Sequence, residues 1–174
     1  MELQEAVYFL EKSLVKKVFL RDKEETAQLL KELNYLPLAI TQAAACINIS
    51  DISISKYLTL LHGTKDNVIR LMSRQFHDST RYKGSQNAVA TAWLISFKQI
   101  QKTDEAAAQL LAFVSCIEPK AILQCFLPDF GSEEEREHAI GTLRGYAFLA
   151  KWDDFLFDMH SLVGDADMGS GRGN

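Results

Sequence analysis

A chain of 174 residues has room for one ordinary domain or two small ones, and a hydrophobic content of 47% supports a packed core. A formal net charge of −4 excludes general electrostatic attraction to nucleic acid or to an anionic membrane. The start, Met1-Glu2-Leu3-Gln4-Glu5, is charged, and no apolar run approaches the roughly 20 residues needed to span a bilayer, so a cytoplasmic protein without membrane partners is expected.

Apolar residues at Leu3, Ala6, Val7, Leu10, Leu14 and Val18 have the spacing of a helix with one buried stripe, predicted to run from Leu3 to Leu20. Lys16 and Lys17 then fall in its last turn, where they suit the negative end of the helix dipole. Asp22 caps a second predicted helix reaching about Asn34, with Ala27, Leu29, Leu30 and Leu33 inward and Glu24 and Glu25 in its first turn. Pro37 suits a first helical turn and starts a third helix through Ile47, rich in small residues that permit close approach. Ser53 caps a fourth containing Ile54, Tyr57, Leu58 and Leu61, which Gly63 is expected to stop.

A polar, turn-rich stretch, residues 76–87, reads as a linker. Helices resume with Val89, Ala92, Trp93, Phe97 and Ile100 on one face, and Asp104 caps the next, with Ala107, Leu110, Leu111 and Val114 inward. Pro119 is expected to open a short helix ending near Leu127-Pro128, and Ser132 with Glu135 forms a capping box for a helix to about Arg144. From Tyr146 to Met159 two short apolar runs flank Lys151-Trp152-Asp153-Asp154, which predicts a hairpin. The fold class is therefore mainly α: a small helical bundle over 1–75, then a winged-helix-like module over 88–163 with a C-terminal β-hairpin. The Gly-rich tail, 164–174, is expected to be disordered.

Catalytic chemistry finds little support. No Gly is followed by Lys, so the G-x-x-x-x-G-K-[ST] phosphate loop is missing and no independent enzyme is expected. The histidines, His62, His77, His138 and His160, lack metal-ligand spacing, so no metal site is expected. The three cysteines, Cys46, Cys116 and Cys125, sit among apolar residues and read as reduced, mostly buried thiols; Asp153 and Asp154 read as turn formers.

The run Leu29-Leu30-Lys31-Glu32-Leu33-Asn34-Tyr35-Leu36-Pro37-Leu38-Ala39, continuing through Ile47, resembles the "G-L-P-L-A" segment of NB-ARC NTPases, and among them the fungal NOD-like proteins that often carry tetratricopeptide repeats. In that family the segment lies in the helical domain after the P-loop domain, and its proline packs against the adenine of ADP or ATP. The resemblance implies that role for Pro37, with Leu36 and Leu38 as apolar neighbours; Tyr35 stands where the family usually has glycine.

Ala90-Thr91-Ala92-Trp93-Leu94-Ile95-Ser96-Phe97 resembles the first helix of the family's winged-helix-type domain, and Phe157-Asp158-Met159-His160-Ser161 its M-H-D-type motif. The resemblance implies that His160 reaches the β-phosphate of ADP and helps to hold an inactive state, with Ser161 replacing the motif's aspartate. It covers roughly residues 1 to 163 and omits the P-loop domain and the sensor or repeat region, which suggests a fragmentary or divergent gene product.

The expected function is a non-catalytic regulatory fragment of such a nucleotide switch, contributing to ADP binding and autoinhibition. Its implied partners are the missing nucleotide-binding domain or a full-length homologue. The alternative is an interaction module docking onto a full-length homologue. Winged-helix DNA binding is weakest, because Glu133-Glu134-Glu135-Arg136-Glu137 is acidic and repels phosphates.

Overall fold

The structure, a computed structural model, describes residues 1–20, 22–75, 85–117, 120, 122–128, 132–153 and 156–159. It is mainly helical with a small antiparallel sheet at its C-terminal end. The helices are α1 (Leu3–Ser13), α2 (Lys23–Glu32), α3 (Pro37–Ser50), α4 (Ile54–Gln75), α5 (Ser85–Thr103), α6 (Glu105–Val114) and α7 (Glu133–Gly145). The strands are β1 (Ile122–Leu123), β2 (Leu149–Asp153) and β3 (Leu156–Met159), with 3-10 turns at Lys17–Leu20 and Gln124–Phe126.

α1 is shorter than its apolar spacing predicts, ending at Ser13 rather than Leu20. The cause is Asn48 on α3: its side-chain carbonyl accepts the Val15 N–H at 3.0 Å and its amide donates to the Ser13 carbonyl at 2.8 Å. These bonds replace the helical ones that continuation would have supplied. Ala6, Leu10 and Leu14 are buried as expected, while Leu3 and Val18 are exposed. Lys16 consequently leaves the helix end and pairs with Asp51 at 2.5 Å, and Lys17 Nζ donates to the Glu11 carbonyl.

Asp22 caps α2 by accepting from the Glu24 and Glu25 N–H groups, at 2.8 and 3.0 Å. Leu29, Leu30 and Leu33 are inward; Ala27, expected to join them, is exposed, and Thr26 is the buried residue of that turn. The helix closes through paired bonds, Tyr35 N–H to the Leu30 carbonyl and Asn34 N–H to the Lys31 carbonyl, both 3.0 Å. This Schellman closure needs left-handed backbone, found at Asn34 (φ 51°) and Tyr35 (φ 53°).

Pro37 then starts α3, as predicted, and the helix is buried nearly all round: Ala39, Ile40, Gln42, Ala43, Ala44, Cys46 and Ile47 are all inside. α4 begins after Ser53, whose hydroxyl accepts the Lys56 N–H at 3.2 Å, and buries Ile54, Tyr57, Leu58 and Leu61. It does not stop at Gly63 but continues to Gln75. Glycine costs a helix interior only about 1 kcal/mol relative to alanine, which apolar burial elsewhere in a helix readily outweighs.

Of the predicted linker, residues 76–84 lie outside the described residues, and α5 starts at Ser85. α5 packs on both α3 and α4, so helices before and after that segment share one core, which extends from Ala6 to Phe157. Asp104 caps α6 through the Ala107 N–H at 2.9 Å, and Ala107, Leu110, Leu111 and Val114 are buried as predicted. Ser132 caps α7 through the Glu135 N–H at 3.1 Å, while its hydroxyl donates to the Glu135 carboxylate at 3.4 Å.

Where a short helix was predicted before Leu127, Ile122–Leu123 instead form β1, which adds to β3 and gives the sheet order β1-β3-β2. Pro119 is outside the described residues. The hairpin forms with Leu149 opposite Met159, Ala150 opposite Asp158 and Lys151 opposite Phe157, and an irregularity between Lys151 and Asp153. Its first strand starts later than expected because Tyr146 still caps α7. Residues 164–174 are outside the described residues.

Candidate functional site

Leu36 is the N-cap residue of α3, extended at φ −85° and ψ 124°, half-buried against the core and providing no side-chain cap. Pro37 follows at the first helical position and is exposed; Leu38 is half-buried. The Pro37 carbonyl accepts from Thr41 Oγ1 at 2.9 Å, and the Leu36 carbonyl from the Ile40 N–H at 3.0 Å, so the first turn is internally bonded. Pro37 is thus a point at which a mostly buried helix reaches solvent. Leu36, being apolar, offers this first turn no side-chain cap at the positive end of the helix dipole.

The left-handed Tyr35 sets the approach to this turn, and its half-buried side chain packs against the core. Glycine adopts that conformation without steric cost; tyrosine adds an aromatic contact in exchange for backbone strain.

The other end of the expected site is β3. Met159 closes that strand, half-buried and packed against the core. His160, the residue expected to reach phosphate, is outside the described residues. The structure therefore places Leu36, Pro37 and Leu38 together and brings the hairpin as far as Met159.

Between these ends lies a contact that the sequence reading missed. Gln42, fully buried on α3, donates from Nε2 to the Ala147 carbonyl at 2.7 Å. Ala147 is left-handed (φ 56°) and turns the chain from α7 into β2. A polar residue followed by Ala43-Ala44-Ala45 in a buried run was the available signal: among small side chains, an amide has a backbone within reach.

A polar group of residues lines the same seam. Cys46 Sγ lies 4.0 Å from Ser50 Oγ, which is 3.5 Å from Tyr146 OH. Burial pushes the Cys46 thiol above its ordinary value, against the opposing effect of neighbouring Ser50 and Ser96 hydroxyls. Burial likewise raises the Tyr57 phenol strongly and the Tyr146 phenol to a lesser degree, with Cys46 nearby reinforcing both. A thiol so placed is held protonated, in a setting opposite to that of a nucleophile.

Cys116 and Cys125 are exposed, contrary to the expectation of mostly buried thiols. Cys116 lies just past the end of α6 and Cys125 in a 3-10 turn, so neither continues an inward helical stripe.

An open cleft of about 450 Å³ lies elsewhere, between the starts of α6 and α7, lined by Thr103, Asp104, Glu105, Glu134, Glu135 and His138. Its carboxylates do not suit a phosphate ligand. Among the described residues, no group of three or more His, Cys, Asp or Glu side chains is placed to hold a metal ion. No single helix among them is long and apolar enough to cross a membrane.

Comparison with known proteins finds a relative over most of the chain. An alignment over 163 residues, which covers 91% of this chain, is 39% identical to a nucleotide-binding leucine-rich repeat (NLR)-like protein of Hyaloscypha variabilis. The chain spans 16% of that relative's length. No family model matches, and no solved structure matches.

Proposed function

From its relationship to one segment of an NLR-like protein, we propose that this chain is a non-catalytic regulatory piece of a nucleotide switch of the NB-ARC type. Its role is to complete an ADP site and to hold the closed state. The observation that carries the reading is Pro37 itself, exposed at the first position of a mostly buried helix in a segment that resembles the family's adenine-contacting motif. The order α5, α6, β1, α7, β2, β3, with β3 central, supports the winged-helix assignment of the second half. In this reading Leu36 and Leu38 flank the adenine and His160 donates to the β-phosphate, a charge-assisted bond that makes closure depend on the nucleotide.

A P-loop domain from elsewhere supplies the phosphate and magnesium contacts and any hydrolysis. Calorimetry on this chain alone accordingly gives weak or undetectable ADP binding. The positive test mixes the chain with the P-loop segment of a full-length relative: the two associate more tightly with ADP than without it, and Pro37→Ala removes the difference. Micromolar ADP binding by the isolated chain, abolished by Pro37→Ala, would instead show that the site is complete here.

A second reading, a docking module for a full-length homologue, draws on the exposed apolar side chains Val15 (78%), Tyr8 (59%) and Ile49 (45%). Association with the P-loop segment that is indifferent to ADP would favour it. DNA binding has no comparable support, since α7 opens with three exposed glutamates.

A further inference from the structure

We propose that Gln42 is a positioning residue: it ties the helix that starts at Pro37 to the hairpin that ends at Met159, fixing the spacing of the two motifs on either side of the nucleotide site. The functional meaning of the tie rests on the nucleotide-switch reading; the tie itself rests on geometry.

Gln42 lies about 7.5 Å along the α3 axis from Pro37, a little under one and a half turns. Its Nε2 donates to Ala147 at 2.7 Å, and two residues on, Leu149 pairs with Met159, the residue before His160. One buried side chain in the second turn of α3 therefore connects that helix to the end of β3 through a strained corner and one strand register.

The corner is seated against the same helix at further points. A Cβ built on Gly145 would lie 2.9 Å from Ile49 Cδ1, so the glycine allows close approach there. Ser50 Oγ faces Tyr146 OH at 3.5 Å, and from α5 the Trp93 ring meets Phe148 edge-on, centroids 4.5 Å apart at 67°. These contacts are mediated by side chains and can slide. Among these contacts from α3 and α5, the Gln42 bond is the one made to the corner's backbone, whose Ala147 and Phe148 N–H groups also donate to the Arg144 and Leu143 carbonyls of α7 at 3.0 and 2.9 Å.

Gln42 is a poor choice if stability were its purpose. Its Oε1 is buried with no hydrogen-bond partner among the described residues, so desolvation of one half of the amide offsets the bond made by the other. A leucine would pack there without that penalty, at the cost of leaving the Ala147 carbonyl without this donor. What leucine lacks is direction, and a hydrogen bond to Ala147 O supplies it.

The test is native-state hydrogen exchange with Met ε-methyl NMR on the whole chain, comparing wild type with Gln42→Leu and no nucleotide present. The expected result is at least tenfold faster exchange at the Ala147 and Phe148 amides and a displaced Met159 methyl resonance, with the Leu14 and Leu33 amides unchanged. Equal acceleration at all four amides would reduce Gln42 to a merely structural residue, and no change would dismiss the tie.

Should Gln42→Leu fail to fold, Gln42→Glu carries the same test. Its neutral carboxyl can donate to Ala147 O and its carboxylate cannot, so protection at the corner falls as pH rises, relative to wild type; a parallel pH profile overturns the proposal. A corner that loosens as expected in a chain whose association with the P-loop segment is indifferent to ADP would discard the nucleotide reading and keep the tie.

Discussion

Asn48 substitutes for a peptide unit at the end of α1, accepting the Val15 N–H and donating to the Ser13 carbonyl from a helix far away in sequence. Both bonds serve backbone groups at a helix end that otherwise turn to solvent or to each other. Asn48→Ala is expected to lower unfolding free energy by about 1–3 kcal/mol, roughly one net hydrogen bond's worth for each contact. Asn48→Asp keeps the acceptor but turns a carboxylate toward the Ser13 carbonyl, so it loses at least as much at neutral pH. Urea denaturation checks both.

The same pair shows why some of the fold was legible in the sequence and some was not. The caps Asp22, Ser53, Asp104 and Ser132 each bond an N–H within three residues, and all four were readable because cause and effect are local. The break after Ser13 depends on a residue 35 positions away, which no helical periodicity reports. β1 is two residues long and exists only because β3 offers it an edge. At the candidate site, proline chemistry placed Leu36, Pro37 and Leu38 at a helix start, whereas Gln42 escaped notice because its partner Ala147 is 105 residues on.

The glycines of the helices separate space from conformation. A Cβ at Gly63 or Gly141 meets nothing within 4 Å, whereas at Gly145 it meets Ile49 Cδ1 at 2.9 Å. Gly63→Ala and Gly141→Ala are each expected to stabilise the chain by about 0.5–1 kcal/mol through helix propensity. Gly145→Ala should gain less, because Ile49 must change rotamer. Thermal melts of the three variants rank them; an equal gain at Gly145 would refute the close approach.

Left-handed residues make an opposing pair. Ala147, at φ 56°, carries strain with only a methyl group, so Ala147→Gly is expected to raise stability by up to about 1 kcal/mol. Tyr35, at φ 53°, also packs its ring against the core, so Tyr35→Gly exchanges strain relief for lost burial and should not stabilise. Denaturant midpoints for both variants decide the matter.

Stability should decline in alkali earlier than for a chain with exposed phenols. Cys46, Tyr57 and Tyr146 all have folded-state values raised from ordinary ones of 9.0 for the thiol and 10.0 for the phenols, so the folded state holds its protons longer than the unfolded state. Their contribution is complete below those ordinary values and is lost as pH rises from there toward the raised ones. Tyr57→Phe should flatten the decline. At neutral pH it should cost little, because the Tyr57 hydroxyl is buried with no hydrogen-bond partner among the described residues.

Asp104 joins α6 to α7 and offers the sharpest stability test. Its carboxylate, on a side chain only 8% exposed, caps α6 through the Ala107 N–H at 2.9 Å and accepts from Thr142 Oγ1 of α7 at 2.6 Å. His138 Nε2 lies 3.5 Å away but on a side chain that is 76% exposed, so solvent screens whatever charge it carries. Asp104→Ala is expected to cost about 2–4 kcal/mol, combining a lost cap with a stranded hydroxyl. Thr142→Val should remove only the bond between helices, about 1–2 kcal/mol, and His138→Ala should stay within about 0.5 kcal/mol of wild type. Equilibrium unfolding of the three variants tests this order; a cost at His138 rivalling that at Thr142 would mean that the exposed ion pair, rather than the half-buried hydroxyl bond, holds the two helices together.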